Sequence, residues 1–212
     1  MKTILCYGDS NTYGYNPLNG MRFSKKTRWT SLLQANLQDF CNLIEEGCNG
    51  RTTVFSDPKE PWKNGYDYLR PCLNSHKPLD MVIFMLGTND LKKQFNATAI
   101  DIARGMEKLV EETISFMKEK QGYVPKIILM APPVIGPGIK TSVFNYSFDE
   151  SAIERSKELP ALYEQIADQY GCIFVNAAAY VRSSRQDSVH MMPSEHEILA
   201  NKLSRLIRLV DF

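Results

Sequence analysis

Long hydrophobic runs are missing from this chain: the longest extend over a handful of residues, against the ~20 needed to cross a bilayer. A membrane-spanning role is therefore not expected. Met1-Lys2-Thr3 leads straight into the short apolar segment Ile4-Leu5-Cys6-Tyr7. The longer apolar region and small-residue cleavage site of a signal peptide are absent, so a cytoplasmic location is expected. Charge of one sign is also lacking. The formal net charge is +1, and Lys and Arg are spread along the chain rather than gathered into the basic stripe that a nucleic-acid backbone requires. The five cysteines are odd in number, show no CxxC spacing and lie mostly in apolar segments, which reads as free buried thiols. Neither GxxxxGK[ST] nor GxGxxG occurs, which argues against a nucleotide enzyme, and the three histidines have no HxxxH or HExxH metal-ligand spacing.

What remains is an ordinary globular composition, 43% hydrophobic and 23% charged over 212 residues, suited to one domain with a sizeable core. Four short apolar runs, 3–7, 81–85, 126–130 and 172–176, read as buried parallel strands, with a weaker fifth at 41–45. Between them, apolar residues at three- and four-residue spacing predict helices over 99–118, 152–170 and 195–209. Strands alternating with helices imply a parallel sheet covered on both faces, a three-layer α/β sandwich with chemistry beyond the C-terminal strand ends. Two long irregular segments, 11–30 and 131–150, leave such ends. They read equally as pocket walls or as surface loops with an oligomer contact.

The polar residues after the strands carry the chemistry. Gly8-Asp9-Ser10-Asn11-Thr12 follows the first run, and a serine on a tight turn there can aim its hydroxyl into the crevice. Such a serine needs an adjacent base. Leu86-Gly87-Thr88-Asn89-Asp90 follows the 81–85 run, where an Asn amide can donate to a developing oxyanion, a contact worth roughly 2.7–4 kcal/mol in acyl transfer. The segment Gly47–Thr52 follows the 41–45 run, and a glycine there can offer a bare backbone N–H to the same oxygen. Asp187-Ser188-Val189-His190 precedes the last helix, a spacing that lets the carboxylate reach the imidazole Nδ1 and leaves Nε2 for Ser10.

These residues resemble the SGNH (GDSL-type) hydrolase superfamily, whose four blocks are matched in order by Gly8-Asp9-Ser10, Gly50, Gly87-Thr88-Asn89-Asp90 and Asp187…His190. The resemblance implies a five-stranded, flavodoxin-like parallel sheet. It also implies a Ser10/Asp187/His190 triad, an oxyanion hole of Ser10, Gly50 and Asn89, and no metal or organic cofactor. Asn11 departs from the Leu or Ile frequent after the family's nucleophile. Gly-Asp-Ser-Asn-Thr-Tyr-Gly, Arg28-Trp29, Glu45-Glu46-Gly47 and Asn49-Gly50-Arg51-Thr52-Thr53 look like the arylesterase and acyltransferase branch. So do His76-Lys77-Pro78-Leu79-Asp80 and Asp90-Leu91-Lys92. That likeness implies a cytoplasmic homo-oligomer acting on a small-molecule ester, short-chain or aryl. At Asn16 the chain lacks the bulky aromatic of acyltransferase members, so hydrolysis is expected over transfer to alcohols. A sugar acetylesterase with the same site, an acyltransferase and a non-catalytic flavodoxin-like binding module are the alternatives.

Several residues admit competing roles. Asp9 reads as a structural acceptor in the nucleophile turn, and Asp90 as the residue that holds the Asn89 loop rather than as a second orienting carboxylate. Arg51 reads as a bridge between the first two loops, with a substrate anion as the lesser possibility. His196, flanked by Glu195 and Glu197, reads as a helix-surface or partner-orienting residue, and His76 as part of a turn.

Overall fold

The computed structural model describes residues 1–212. Five parallel strands, β1 (Lys2–Gly8), β2 (Cys41–Gly47), β3 (Met81–Met85), β4 (Lys126–Ala131) and β5 (Ile173–Asn176), form one sheet in the order β2-β1-β3-β4-β5. This is the doubly wound order of flavodoxin-like sheets. It reverses direction between β1 and β3, which opens a crevice at their C-terminal ends.

Both faces of the sheet are buried, so each strand is apolar along its length rather than alternating. Leu5, Tyr7, Val82, Phe84 and Leu129 face a core closed by α3 (Gly65–His76), α4 (Ala99–Gln121) and α5 (Ser151–Tyr170). Ile4, Cys6, Met81, Ile83, Met85 and Met130 face the opposite core, closed by α2 (Trp29–Asn36) and α6 (Pro193–Ile207). The three-layer sandwich is therefore as the sequence implied. No helix is long and apolar enough to cross a membrane.

Helix ends follow local chemistry. The α4 helix opens on a capping box in which Thr98 and Asp101 satisfy each other's backbone N–H. It runs three residues past the expected end, because the chain stops only where Gly122 takes a left-handed φ of 82°. Gln121 in that last turn holds both the N–H and the C=O of Leu79 with its side-chain amide. The α3 helix was not apparent in the sequence, since it contains Pro71 and begins at Gly65. Asn64 rescues it by accepting from the N–H groups of Tyr66 and Asp67. All five cysteines are free; Cys6, Cys41 and Cys72 are buried, and Cys172 is half-buried.

His196 corrects the sequence reading. It is fully buried in α6, its Nδ1 accepts the Trp29 N–H at 3.3 Å, and its ring meets Phe23 edge-on. Its Nε2 has no partner. Burial, with the charges of His190 and Arg28, pushes its pKa down to about 4. The neutral form is thus favoured in the fold. The stability it confers is fully present above its unfolded pKa of about 6.5 and is lost as pH falls through about 4. The buried carboxylates of Asp9 and Asp90, which burial raises to about 6, have the opposite pH dependence over much of that window. The readout is therefore a difference. The stability advantage of wild type over His196→Asn, from urea unfolding, is expected to shrink by roughly 3 kcal/mol between about pH 6.5 and 4. A constant advantage would contradict a buried neutral His196.

Candidate active site

The nucleophile turn is built by close approach. β1 ends at Gly8, where a Cβ would lie 2.1 Å from Thr12 Oγ1, so only glycine lets the chain fold back so tightly. Asp9 then caps the short helix α1 (Ser10–Tyr13), its Oδ1 accepting the Asn11 N–H at 2.9 Å, which is the structural role expected of it. Ser10 is the first residue of that helix and is buried.

The segment before α6 brings the base to it. His190 Nε2 lies 2.8 Å from Ser10 Oγ, and His190 Nδ1 lies 2.6 Å from Asp187 Oδ2. The other carboxylate oxygen accepts the N–H groups of Val189 (3.0 Å) and His190 (2.9 Å) and the Ser184 hydroxyl (2.9 Å). Ser188, between the acid and the base, takes a left-handed φ of 62° that closes this turn. Burial alone would raise the Asp187 carboxyl. The hydrogen bond and charge of His190, with those backbone donors, outweigh it and hold the group below the usual carboxylate range.

Asn11 forms a link that the sequence did not disclose. Its amide donates to the Val189 carbonyl at 3.3 Å and accepts the Met191 N–H at 3.0 Å. The residue after Ser10 thus grips the backbone on both sides of His190. A Leu or Ile at this position has no polar atoms for either bond.

Asn89 and Gly50 reach the same cavity as Ser10 and His190. Asn89 begins the turn after β3, and its Nδ2 donates to the Arg51 carbonyl at 3.1 Å. Gly50 has a left-handed φ of 81°. Asp90 accepts the Thr53 N–H (2.9 Å) and hydroxyl (2.5 Å), so it ties the Asn89 loop to the loop after β2. Arg51 donates to the carbonyls of Gly8 (3.0 Å) and Glu46 and stacks on the Tyr7 ring at 4.1 Å. Its side chain is buried, so it bridges the first two loops and is not aimed at a substrate anion. His76 ends α3 and pairs with Glu46 at 2.9 Å. A carboxylate oxygen of Glu46, the Cys72 thiol and a His76 ring nitrogen lie within 4.8 Å of one another. His76 and Glu46 already hydrogen-bond each other, and burial with the Glu46 charge pushes the thiol up to about 12.

Both long loops wall the cavity. Tyr15 from the first lies against the His190 ring at 4.2 Å with the planes tilted by 31°, and Phe144 from the second meets it edge-on at 5.3 Å. The cavity, open to solvent on one side, has a volume of about 160 Å³. A cavity of roughly 150 Å³ holds a benzene-sized group.

Residues 6–197 match the model of the GDSL-like lipase/acylhydrolase family. Among solved structures, a carbohydrate acetylesterase from Sinorhizobium meliloti is 35% identical, with a TM-score of 0.92 over 98% of this chain and 99% of that one. The aryl esterase of M. smegmatis gives the same identity, TM-score and coverage. No curated protein sequence matches the chain significantly.

Proposed function

The chain belongs to the GDSL-like lipase/acylhydrolase family, and on that premise we propose that it hydrolyses short-chain or aryl esters through an acyl-enzyme on Ser10. Carboxylic ester hydrolysis is the activity common to the family and to its esterase relatives. The observation that carries the reading is the continuous chain Asp187–His190–Ser10, with links of 2.6 and 2.8 Å, opening into a cavity of about 160 Å³.

In this mechanism His190, oriented by Asp187, accepts the Ser10 proton as Oγ attacks the ester carbonyl. The tetrahedral oxyanion takes hydrogen bonds from the Ser10 and Gly50 N–H groups and from the Asn89 amide. His190 then returns the proton to the departing alkoxide, and the C–O bond breaks to leave an acyl ester on Ser10. Water, deprotonated by His190, repeats the addition at that ester and releases the acid. Every step uses side chains present in the chain and needs no cofactor. The small cavity favours short acyl groups and is also compatible with an acetyl group carried on a sugar, as the acetylesterase relative would suggest. Free thiols support a cytoplasmic location. Trp62 and Val143 are apolar side chains left exposed that a homo-oligomer would cover.

The test is a panel of p-nitrophenyl acetate, butyrate and octanoate together with acetylated oligosaccharides. We expect kcat/KM for acetate and butyrate to exceed that for octanoate by at least about tenfold, because a cavity near 160 Å³ covers a short acyl chain and leaves the rest of an octanoyl chain in solvent. Turnover of the oligosaccharides alone would shift the substrate to sugar acetates. Inactivity on the whole panel would contradict the esterase reading.

A further inference from the structure

The cavity above Ser10 has an unbalanced charge. Lys63 and Lys92 line it, and no Asp or Glu does. Both ammonium-bearing side chains come from segments that also position the oxyanion groups. Lys92 closes the turn that begins at Asn89, its N–H donating to the Asn89 carbonyl at 3.3 Å. Lys63 lies along Gly50, where an added methyl group would meet its Cδ, Cε and Nζ at 2.9, 2.9 and 3.0 Å.

The two lysines differ in how their charges are met. Lys63 pairs with Glu60. Lys92 is half-buried and its ammonium makes no ion pair and no side-chain hydrogen bond with the protein. The acids in its surroundings are engaged elsewhere: Asp57 accepts from Gln94 Nε2 (3.0 Å) and the Lys59 N–H (2.9 Å), Glu60 from Lys63, and the buried Asp9 from the Asn11 N–H (2.9 Å) and Asn89 Nδ2 (3.5 Å). A partly desolvated cation without a partner is costly, and a second cation at the same cavity adds to the cost. Burial, then the Lys63 charge, accordingly hold the Lys92 ammonium below the usual lysine range. An anionic group entering the cavity would relieve both penalties through a charge-assisted hydrogen bond.

We propose that Lys92, supported by Lys63, is an anion subsite that selects esters bearing a carboxylate close to the reacting carbonyl. The inference rests on the esterase reading and narrows its substrate class. The aromatic walls Tyr15, Phe144 and Tyr146 hold the apolar body of such a molecule while the lysines take its charge.

The experiment compares matched esters that differ by one charge. One pair, para-acetoxybenzoate and para-acetoxybenzamide, puts the charge on the leaving group. The other, p-nitrophenyl glutarate and p-nitrophenyl glutaramate, puts it on the acyl group, with the rate in Ser10→Ala subtracted as the blank. In at least one pair, kcat/KM of the wild type is expected to favour the carboxylate about tenfold at low salt, falling as ionic strength rises. In Lys92→Gln that ratio is expected to drop towards one. A wild-type ratio at or below one in both pairs would overturn the proposal. So would a Lys92→Gln variant that slows both members equally and keeps the ratio, since Lys92 would then act on the oxyanion of every ester. Turnover of the neutral members without charge preference sinks the anion subsite alone. Failure of all four esters and of p-nitrophenyl acetate sinks the esterase reading with it.

Discussion

Ser10→Ala is expected to lower kcat on p-nitrophenyl acetate by at least about 10³-fold, a barrier increase of roughly 4 kcal/mol. Loss of the nucleophile costs on the order of 10⁶ in kcat in a serine protease. The activated aryl ester has a faster background and leaves less for the enzyme to lose. The substitution removes one oxygen, whose hydrogen bond is to His190 Nε2. It leaves intact the cap from Asp9 and the two bonds of Asn11 to the flanks of His190. Alanine also suits the first turn of a helix. The variant should therefore unfold at the wild-type temperature while turnover disappears. Steady-state kinetics beside a thermal melt separate the two. A stable, active Ser10→Ala would remove Ser10 from the chemistry.

Asp187→Asn is expected to cost about 10⁴-fold in kcat, the size of the effect when the same change is made in a serine protease. The reason can be followed atom by atom. Asp187 Oδ1 accepts from Val189 N, His190 N and Ser184 Oγ. An asparagine keeps those three bonds only by placing its oxygen there, which turns its NH₂ towards His190 Nδ1. Nδ1 must then accept, so Nε2 carries the ring proton and cannot take another from Ser10. The backbone turn survives and the base is lost. Retention of more than about a tenth of wild-type kcat would show that the carboxylate does not set the tautomer.

Much of this was legible in the sequence because a doubly wound sheet is a restrictive frame. Runs such as Met81–Met85 are apolar throughout because both sheet faces are covered, and the polar residues that follow them have to sit at the strand ends. Ser10 and Asn89 converge for that reason, and the segment before α6 brings His190 to them. The α2 helix escaped notice because it is only eight residues long and has no side-chain cap. The misreading of His196 came from weighting its neighbours Glu195 and Glu197 over its register. Positions 196, 199, 200 and 203 share the buried face of α6, and that spacing was present in the sequence. The aromatic cover of His190 by Tyr15 and Phe144, and the meeting of Lys63 with Lys92, had no local signal. They depend on how long loops return over the sheet, which hydrophobic periodicity does not encode. Asn11 carried a hint, a polar residue where the family resemblance led to an apolar one, but its partners lie 178 and 180 positions away.

The central claim is a covalent intermediate on one serine, and the most direct test is the mass of the protein caught in turnover. The wild type is mixed with excess p-nitrophenyl acetate, quenched in acid within the steady state and digested. A single added acetyl group on the peptide containing Ser10, absent from Ser10→Ala, is the result this account requires. Continued turnover with that peptide unmodified, or an acetyl group that accumulates on another residue and persists in Ser10→Ala, would contradict it.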